Sequence, residues 1–154
     1  MPDDAKYLLR EIGFSVIRFR EVYRRWCRKR GVHYHEMLIF YTIRDMGACT
    51  QKDVCECYAL PKQTVNNIVG SLKTRGLLTL KTGGDDHKRR YLCLTEAGKA
   101  YAEKMMAPLL EQELAAVAGM GPENLHETIR LLNAYTAKLG TAMFPGEEWE
   151  NEDK

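Results

Sequence analysis

The sequence predicts a mainly helical, α+β fold with about six helices and one two-stranded hairpin. Three observations support this prediction. Apolar residues recur at helical spacing through most of the 154 residues, and glycines and prolines divide these stretches from one another. One region, residues 77–94, instead carries strand-forming residues on both sides of a Gly-Gly turn. A chain of this length corresponds to one domain with one hydrophobic core, which we assign to residues 1–145.

The first predicted helix begins at Asp3 or Asp4, which suit an N-cap, and ends at Gly31. Its apolar residues are too many for one stripe, so one side is expected to meet the core and the other a second subunit. These residues are Leu8, Ile12, Val16, Phe19, Val22, Tyr23 and Trp26. The arginines of its second half suit a helix C-terminus, and a phosphate contact by some of them is the less favoured alternative.

Residues 33–46 are predicted to form the second helix, and residues 47–49 link it to the third. The third helix covers residues 50–58, with Thr50 as its N-cap and with Val54, Cys55 and Tyr58 facing the core.

The fourth helix, residues 61–76, begins with Pro61 and ends at Gly76. Its apolar stripe consists of Val65, Ile68, Val69 and Leu72. The opposite side carries amides, hydroxyls and a glycine but no carboxylate, and it consists of Gln63, Asn67, Gly70 and Thr74, flanked by Thr64 and Asn66. Side-chain amides match the hydrogen-bonding edge of adenine, so the candidate contacts to DNA base edges are Gln63, Thr64, Asn66 and Asn67.

The hairpin at residues 77–94 has an extended tip whose descending side is basic. Two short helices followed by a basic hairpin are the order of a winged helix-turn-helix, here residues 50–95. The candidate phosphate contacts of this region are Thr50, Lys62, Lys73, Lys88, Arg89 and Arg90.

Two long helices follow the hairpin. Thr95 caps the fifth, Glu96 to about Gly119, in which Pro108 is expected to cause a kink. Pro122 opens the sixth, which ends at Gly140. A compact winged helix cannot bury the apolar sides of these helices and of the first one, so residues 1–31 and 96–140 are predicted to pair with a second copy in a homodimer. Residues 141–154 are expected to be loosely ordered, with an acidic tail at 146–154.

The segment TQKDVCECYALPKQTVNNIVGSLKTRGLL, followed by DDHKRRYLCLTEAG, resembles the DNA-binding core of the MarR family of bacterial transcription regulators. The resemblance combines the Thr50-Gln51 helix start, the Leu-x-x-x-Gly-Leu end of the fourth helix and the Leu-Thr-Glu-x-Gly that follows the hairpin. The family's Asp-x-Arg wing pattern falls on Asp86, His87 and Lys88, so Lys88 stands where arginine is usual and Asp86 is expected to position the wing. The resemblance implies a homodimeric repressor of a pseudo-palindromic operator, released by a small ligand.

The resemblance further implies a pocket for a small aromatic effector between the first, second and fifth helices. Tyr23, Trp26, Phe40 and Tyr41 are the candidate lining residues, although the sequence favours core positions for most of them. Two alternatives stay open. One is a thiol-redox or metal-responsive sensor on the same scaffold, with Cys27 as the thiol or with Cys27, His33, His35 and Glu36 as metal ligands. The other is a winged-helix module for protein interaction or dimerisation that does not bind DNA.

Composition excludes several other classes of function. The formal net charge is +2, with basic residues such as Lys52, Lys73 and Arg90 in residues 50–95 and acidic residues crowded in residues 147–153. There is no apolar run of the roughly 20 residues that a membrane span needs and no apolar signal core, so we expect a cytoplasmic protein with free thiols at its five cysteines. The sequence shows no nucleophile motif, no phosphate loop and no pair of carboxylates at a catalytic spacing, so neither an enzyme nor a cofactor is expected.

Overall fold

The computed structural model describes residues 3–83 and 86–146, and for residues 3 and 86–88 it describes the backbone alone. Within these ranges there are six helices, namely α1 Asp3–Arg30, α2 Tyr34–Met46, α3 Gln51–Tyr58, α4 Lys62–Thr74, α5 Glu96–Met120 and α6 Pro122–Met143. The strands are β1 Cys49–Thr50, β2 Leu78–Gly83 and β3 Asp86–Leu94, and they form one antiparallel sheet in the order β1-β3-β2. The predicted mainly helical fold class, with a winged helix-turn-helix, is confirmed.

Strand β1 was not predicted from the sequence. It has two residues, Cys49 and Thr50, which pair with Leu92 and Tyr91 of β3. A two-residue strand carries no alternation of apolar and polar residues, so it leaves no pattern to detect.

The prediction that the sixth helix ends at Gly140 is wrong, because α6 continues to Met143. Gly140 is buried within the helix, and the final turn closes with a hydrogen bond from Phe144 N–H to the Gly140 carbonyl. The expectation of loose order therefore fails for residues 141–143. Residues 147–154 of the predicted acidic tail lie outside the described residues.

The chain divides into two compact units, residues 1–106 and 107–154. In the first unit, α2 occupies the centre, because it contacts α1, α3, α4 and β1. Its residues 36–40 are all buried. The other fully buried side chains of this unit come from every neighbouring element and include Cys27, Cys49, Val54, Val65, Leu72 and Leu92. The helix-turn-helix and the hairpin thus rest on one core organised around α2.

Large apolar side chains remain exposed on α1 and on the helices of the second unit. On α1 the most exposed are Val22, Phe19 and Ile17, at 67%, 66% and 62%. In the second unit, Leu114 of α5 and Ile129, Leu131 and Leu132 of α6 are also exposed. Among the described helices, we find none whose length and apolar character would let it cross a membrane.

Candidate nucleic-acid interface

The start of α3 is fixed by a capping box between Thr50 and Asp53. The Thr50 hydroxyl accepts a hydrogen bond from Asp53 N–H at 3.3 Å, and the Asp53 carboxylate accepts one from Thr50 N–H at 2.7 Å. Two helix N–H groups are satisfied in this way. Because Thr50 also belongs to β1, the same residue joins α3 to the hairpin.

Helix α4 turns its apolar stripe inward and its polar side to solvent. Val65, Val69 and Leu72 are buried, and Ile68 is half-buried. The outer face of α4, which consists of Gln63, Asn66, Asn67, Gly70 and Thr74, is exposed throughout, whereas Thr64 beside it is half-buried. Gln63 Nε2 donates to Asn67 Oδ1 at 2.8 Å, so two of the candidate base-reading amides are held against each other one helical turn apart.

The C-terminal end of α4 is closed by Gly76, which has a φ of 70°. Leu77 N–H donates to the Leu72 carbonyl at 2.9 Å, and Gly76 N–H donates to the Lys73 carbonyl at 2.9 Å. This pattern satisfies the last carbonyls of the helix, and the left-handed backbone that it requires favours glycine.

The start of α5 is docked directly on this helix end. Thr95 Oγ1 donates to the Gly76 carbonyl at 2.6 Å, and Thr95 N–H donates to the Leu77 carbonyl at 3.2 Å. The same hydroxyl accepts from Gly98 N–H at 3.0 Å and so caps α5. The predicted cap at Thr95 therefore also ties α5 to the end of α4.

Arg75, for which the sequence predicts no role, lies at this junction. Its Nη1 lies 2.6 Å from Oε2 of the buried Glu36 carboxylate, and its guanidinium carbon lies 5.1 Å from the centre of the Tyr101 ring. Hydrogen bonding to Glu36, and then to Tyr101, raises the pKa of Arg75 above its usual value. In the sequence, Arg75 is indistinguishable from the cations that commonly end helices, because its partner is 39 residues away.

The hairpin places two arginines beside α3 and α4. Arg89 and Arg90 of β3 are exposed, and Arg90 pairs in register with Thr82 of β2. Arg90 lines two open clefts. One, of about 320 Å³, is lined by Thr50, Gln51, Lys52, Asp53, Arg89 and Arg90, and the other, of about 330 Å³, by Lys73, Thr79, Leu80, Thr82 and Arg90. Arg90 thus shares one cleft with Lys52 of α3 and the other with Lys73 of α4.

The remaining candidate phosphate contacts are placed differently. Lys62 and Lys73 are exposed at the two ends of α4. The Thr50 hydroxyl donates to Asp53 Oδ2 at 3.0 Å, so its hydrogen is already used within the protein and its phosphate contact stays a prediction. The side chains of Lys88 and Asp86 are not among those that the structure describes. The phosphate contact of Lys88 and the wing-positioning role of Asp86 therefore stay predictions.

Of the four candidate effector aromatics, Phe40 lines a cavity in the described part of the chain. Phe40 is buried and lies on the wall of a cavity of about 290 Å³ between α2 and α5, whose other lining residues are Ile43, Arg44, Leu94, Lys99, Ala102, Glu103 and Met106. The other three have arginine or aromatic neighbours. Arg30 lies over Trp26 at 4.2 Å, Arg44 lies over Tyr41 at 4.4 Å, and Phe19 packs edge-on against Tyr23 at 5.5 Å.

The thiol and metal alternatives gain little support from this geometry. Cys27 is buried with its Sγ 3.4 Å from Met37 Sδ, and burial raises the pKa of its thiol. Burial, aided by Asp53, Cys57 and Cys93, raises the pKa of Cys49 to about 11. Reactive cysteines need the opposite shift. His33 and His35 have ring centres 5.6 Å apart, and no group of three or more metal-binding side chains is assembled within the described residues.

We compared this chain with family models, curated proteins and solved structures. The model of the MarR family matches residues 30–90, and the comparison with curated proteins gave no match. A MarR family regulator from Neisseria meningitidis has a TM-score of 0.80 and 27% identity over 91% of this chain and 99% of its own.

Two further solved structures are similar over most of the chain. BpsR of Bordetella bronchiseptica, whose structure concerns regulation of its DNA binding by 6-hydroxynicotinic acid, has a TM-score of 0.61 and 25% identity, and the match covers 85% of this chain and 91% of BpsR. MepR of S. aureus, solved in complex with DNA, has a TM-score of 0.60 and covers 88% of this chain and 97% of its own. At 18% identity, it shows the fold alone.

Proposed function

Because the chain is a MarR-family protein in its fold and in its residues 30–90, we propose that it is a homodimeric repressor that binds a pseudo-palindromic DNA operator and is released by a small aromatic ligand. The observation that carries this proposal is the outer face of α4. It is exposed at every position, it carries amides and hydroxyls without a carboxylate, and a buried stripe holds it outward. A surface for protein partners would present apolar or aromatic anchors at this place instead.

We assign the reading of bases to α4 and the anchoring on phosphates to its surroundings. Asn67 and Gln63 present amides that match the major-groove edge of adenine, with Thr64 and Asn66 beside them. Lys62, Lys73, Arg89 and Arg90 flank this face, together with Lys88, and contacts from such cations supply affinity without sequence preference.

A second copy of the chain is the proposed cover for the exposed apolar side chains. Side chains such as Phe19 and Val22 of α1, or Ile129 and Leu132 of α6, are unusual in such number on the surface of a soluble monomer. Two-fold pairing would present two α4 helices to successive major grooves, about 34 Å apart on B-DNA.

Ligand response is proposed for the cavity between α2 and α5. Its wall combines the apolar Phe40, Ile43 and Met106 with two cations, Arg44 and Lys99, and one carboxylate, Glu103. The charge of this wall is therefore net positive, which suits a small aromatic carboxylate. BpsR, whose DNA binding is regulated by 6-hydroxynicotinic acid, is a precedent for a ligand of this chemistry on a related fold.

The proposal is tested by fluorescence anisotropy with the DNA upstream of the chain's own gene and with an unrelated duplex, between 50 and 200 mM salt. We expect tight, salt-dependent binding to the first duplex. Replacing Asn67 or Gln63 by alanine should weaken operator binding by about 1–3 kcal/mol and leave the unrelated duplex unaffected. Replacing Arg90 or Lys88 by alanine should weaken both and reduce the slope of log K against log salt by about one.

Two results would contradict this assignment. Absence of DNA binding by the wild-type dimer at low salt would favour the protein-interaction module. Equal effects of the Asn67 and Arg90 substitutions on both duplexes would remove the division between base reading and phosphate anchoring.

A further inference from the structure

Arg75 connects three elements of the first unit at the C-terminal end of α4. Its guanidinium forms a 2.6 Å ion pair with Glu36 of α2 and lies 5.1 Å from the ring centre of Tyr101 of α5. The Tyr101 ring in turn packs against Phe40 of α2, with ring centres 5.7 Å apart. We call Glu36, Arg75 and Tyr101 the Arg75 clamp.

The ion pair of the clamp is a poor means of stabilising the fold. Glu36 is only 5% exposed, and its second oxygen, Oε1, is buried and accepts no hydrogen bond from the part of the chain that the structure describes. Removing a carboxylate from water costs free energy that one ion pair often does not return, and apolar residues of similar size commonly replace buried pairs without loss of stability. Of this pair Glu36 is the buried member, while the Arg75 side chain is 40% exposed. What the planar guanidinium offers here, and an apolar pair does not, is a fixed direction, because its Nη1 contacts Glu36 while the group also lies beside the Tyr101 ring.

Because the clamp lies at the C-terminal end of α4, the direction of the Arg75 side chain affects the orientation of the whole helix. Arg75 is the C-cap of the helix, and Gln63 lies 12 residues earlier, or about 18 Å along the axis at about 1.5 Å per residue. A rotation of α4 of about 3° around its C-terminal end would therefore move the amides at its start by about 1 Å. Hydrogen bonds to base edges span about 2.7–3.2 Å between heavy atoms, so a displacement of this size breaks them.

We propose that the Arg75 clamp sets the orientation of α4 for DNA reading, so that Glu36 and Tyr101 are positioning residues that act on specificity without contacting DNA. This inference rests on the proposed function. Glu36 is buried and cannot reach a groove, and Tyr101 is half-buried on α5. Their effect on DNA passes through the side chain of Arg75, in parallel with the Thr95 hydrogen bond to the Gly76 carbonyl.

The test compares stability with sequence discrimination in the full-length protein. The double variant Glu36→Met with Arg75→Met replaces the ion pair by apolar side chains, and Arg75→Lys keeps the charge but removes the planar guanidinium. Glu36→Gln is the mildest change, because it keeps the size and removes the charge. Asp45→Asn is the matched control, since it breaks an exposed carboxylate–arginine pair of 2.8 Å with Arg44 on α2 that involves neither α4 nor the helices proposed to pair in the dimer. Urea unfolding and anisotropy with operator and unrelated duplexes are measured for each variant.

We expect the double variant to unfold at the same or a higher urea concentration, yet to bind the operator about tenfold more weakly with unchanged binding to the unrelated duplex. Arg75→Lys should show the same loss and Glu36→Gln a smaller one, while Asp45→Asn should match the wild type. If the double variant does not fold, the loss of discrimination by the folded Arg75→Lys and Glu36→Gln proteins carries the test.

Three results would overturn the clamp. The first is operator binding by the folded clamp variants that equals the wild type. The second is a parallel loss on both duplexes with a lower salt slope, since this would make Arg75 a phosphate contact. The third is a loss that follows the unfolded fraction in urea, which would make the clamp merely structural. Failure of the wild type itself to bind DNA would instead refute the proposed function, so the two failures are distinguishable.

Discussion

Gly98, in the first turn of α5, has no room for a side chain. A Cβ at this position would lie 1.8 Å from the carbonyl oxygen of Leu77, which is backbone and cannot rotate away. Gly98→Ala is therefore expected to lower the free energy of unfolding by about 3 kcal/mol, as overpacking of a tight contact does. Urea denaturation followed by circular dichroism measures the change.

The control for this substitution is Gly70→Ala on α4, where a Cβ would meet nothing within 4 Å. Alanine at that helical position should raise the free energy of unfolding by about 1 kcal/mol. Equal stability of the two variants would contradict the close contact between the start of α5 and the Leu77 carbonyl.

The cysteines are expected to separate into reactive and protected groups. Cys57 is exposed, whereas Cys27 and Cys49 are buried and burial raises the pKa of both thiols, that of Cys49 to about 11. At pH 8 a thiol reagent should modify Cys57 within seconds to minutes and leave Cys27 and Cys49 unmodified until the protein is unfolded, because the thiolate is the reacting form. Mass spectrometry of the labelled peptides identifies the sites, and Cys57→Ser should abolish the rapid phase. Rapid labelling of Cys27 in the folded protein would revive the redox-sensor alternative.

At the scale of the element, the capping box of α3 makes a measurable contribution to stability. Thr50→Ala removes the hydroxyl that accepts a hydrogen bond from Asp53 N–H, and the alanine side chain offers this N–H no other acceptor. We expect a loss of about 1 kcal/mol in the free energy of unfolding, typical for an N-cap. Thr128→Ala is the matched control, because its hydroxyl donates back to the Asn124 carbonyl within α6 and its removal should change stability by less than about 0.5 kcal/mol. Equal losses in the two variants would show that the Thr50 cap stabilises the protein no more than an ordinary helix hydroxyl.

Elements with a local signal could be predicted from the sequence, and contacts between distant residues could not. The helix starts at Thr50, Pro61, Thr95 and Pro122 follow from capping chemistry that involves a few neighbouring residues. The Arg75 contact with Glu36 spans 39 residues, and nothing near either residue indicates it.

The candidate site shows the same division. The exposed outer face of α4 follows from helical spacing alone, as predicted. The cavity of Phe40 combines α2, the end of β3 and α5, so its lining differs from the predicted set of Tyr23, Trp26, Phe40 and Tyr41. Which aromatic residues line a cavity depends on the tertiary packing of distant segments, and the spacing of residues along the sequence does not encode this packing.

If the exposed apolar residues of α1 form the subunit interface, a charge placed among them should abolish dimerisation and DNA binding together. Phe19→Glu places a charge on a side chain that is 66% exposed in the single chain, so it should not disturb the monomer core. We expect sedimentation velocity to show a monomer and anisotropy to show at least a hundredfold weaker operator binding, since one half-site contact remains. Lys6→Glu, an exposed polar position of the same helix, is the control. A dimeric Phe19→Glu protein would exclude this face of α1 from the subunit interface.

Strand β3 has hydrogen-bonded neighbours on both edges at Tyr91 and Leu92, with β1 on one side and β2 on the other. Insertion of a single residue between these two positions would turn every following side chain of β3 to the opposite surface of the sheet. Buried Leu92 would then face water, and the start of α3, which shares Thr50 with β1, would lose its alignment with the hairpin. Length variation among natural relatives should therefore be absent from the base of the hairpin, and alignments of such relatives should show their gaps nearer its tip.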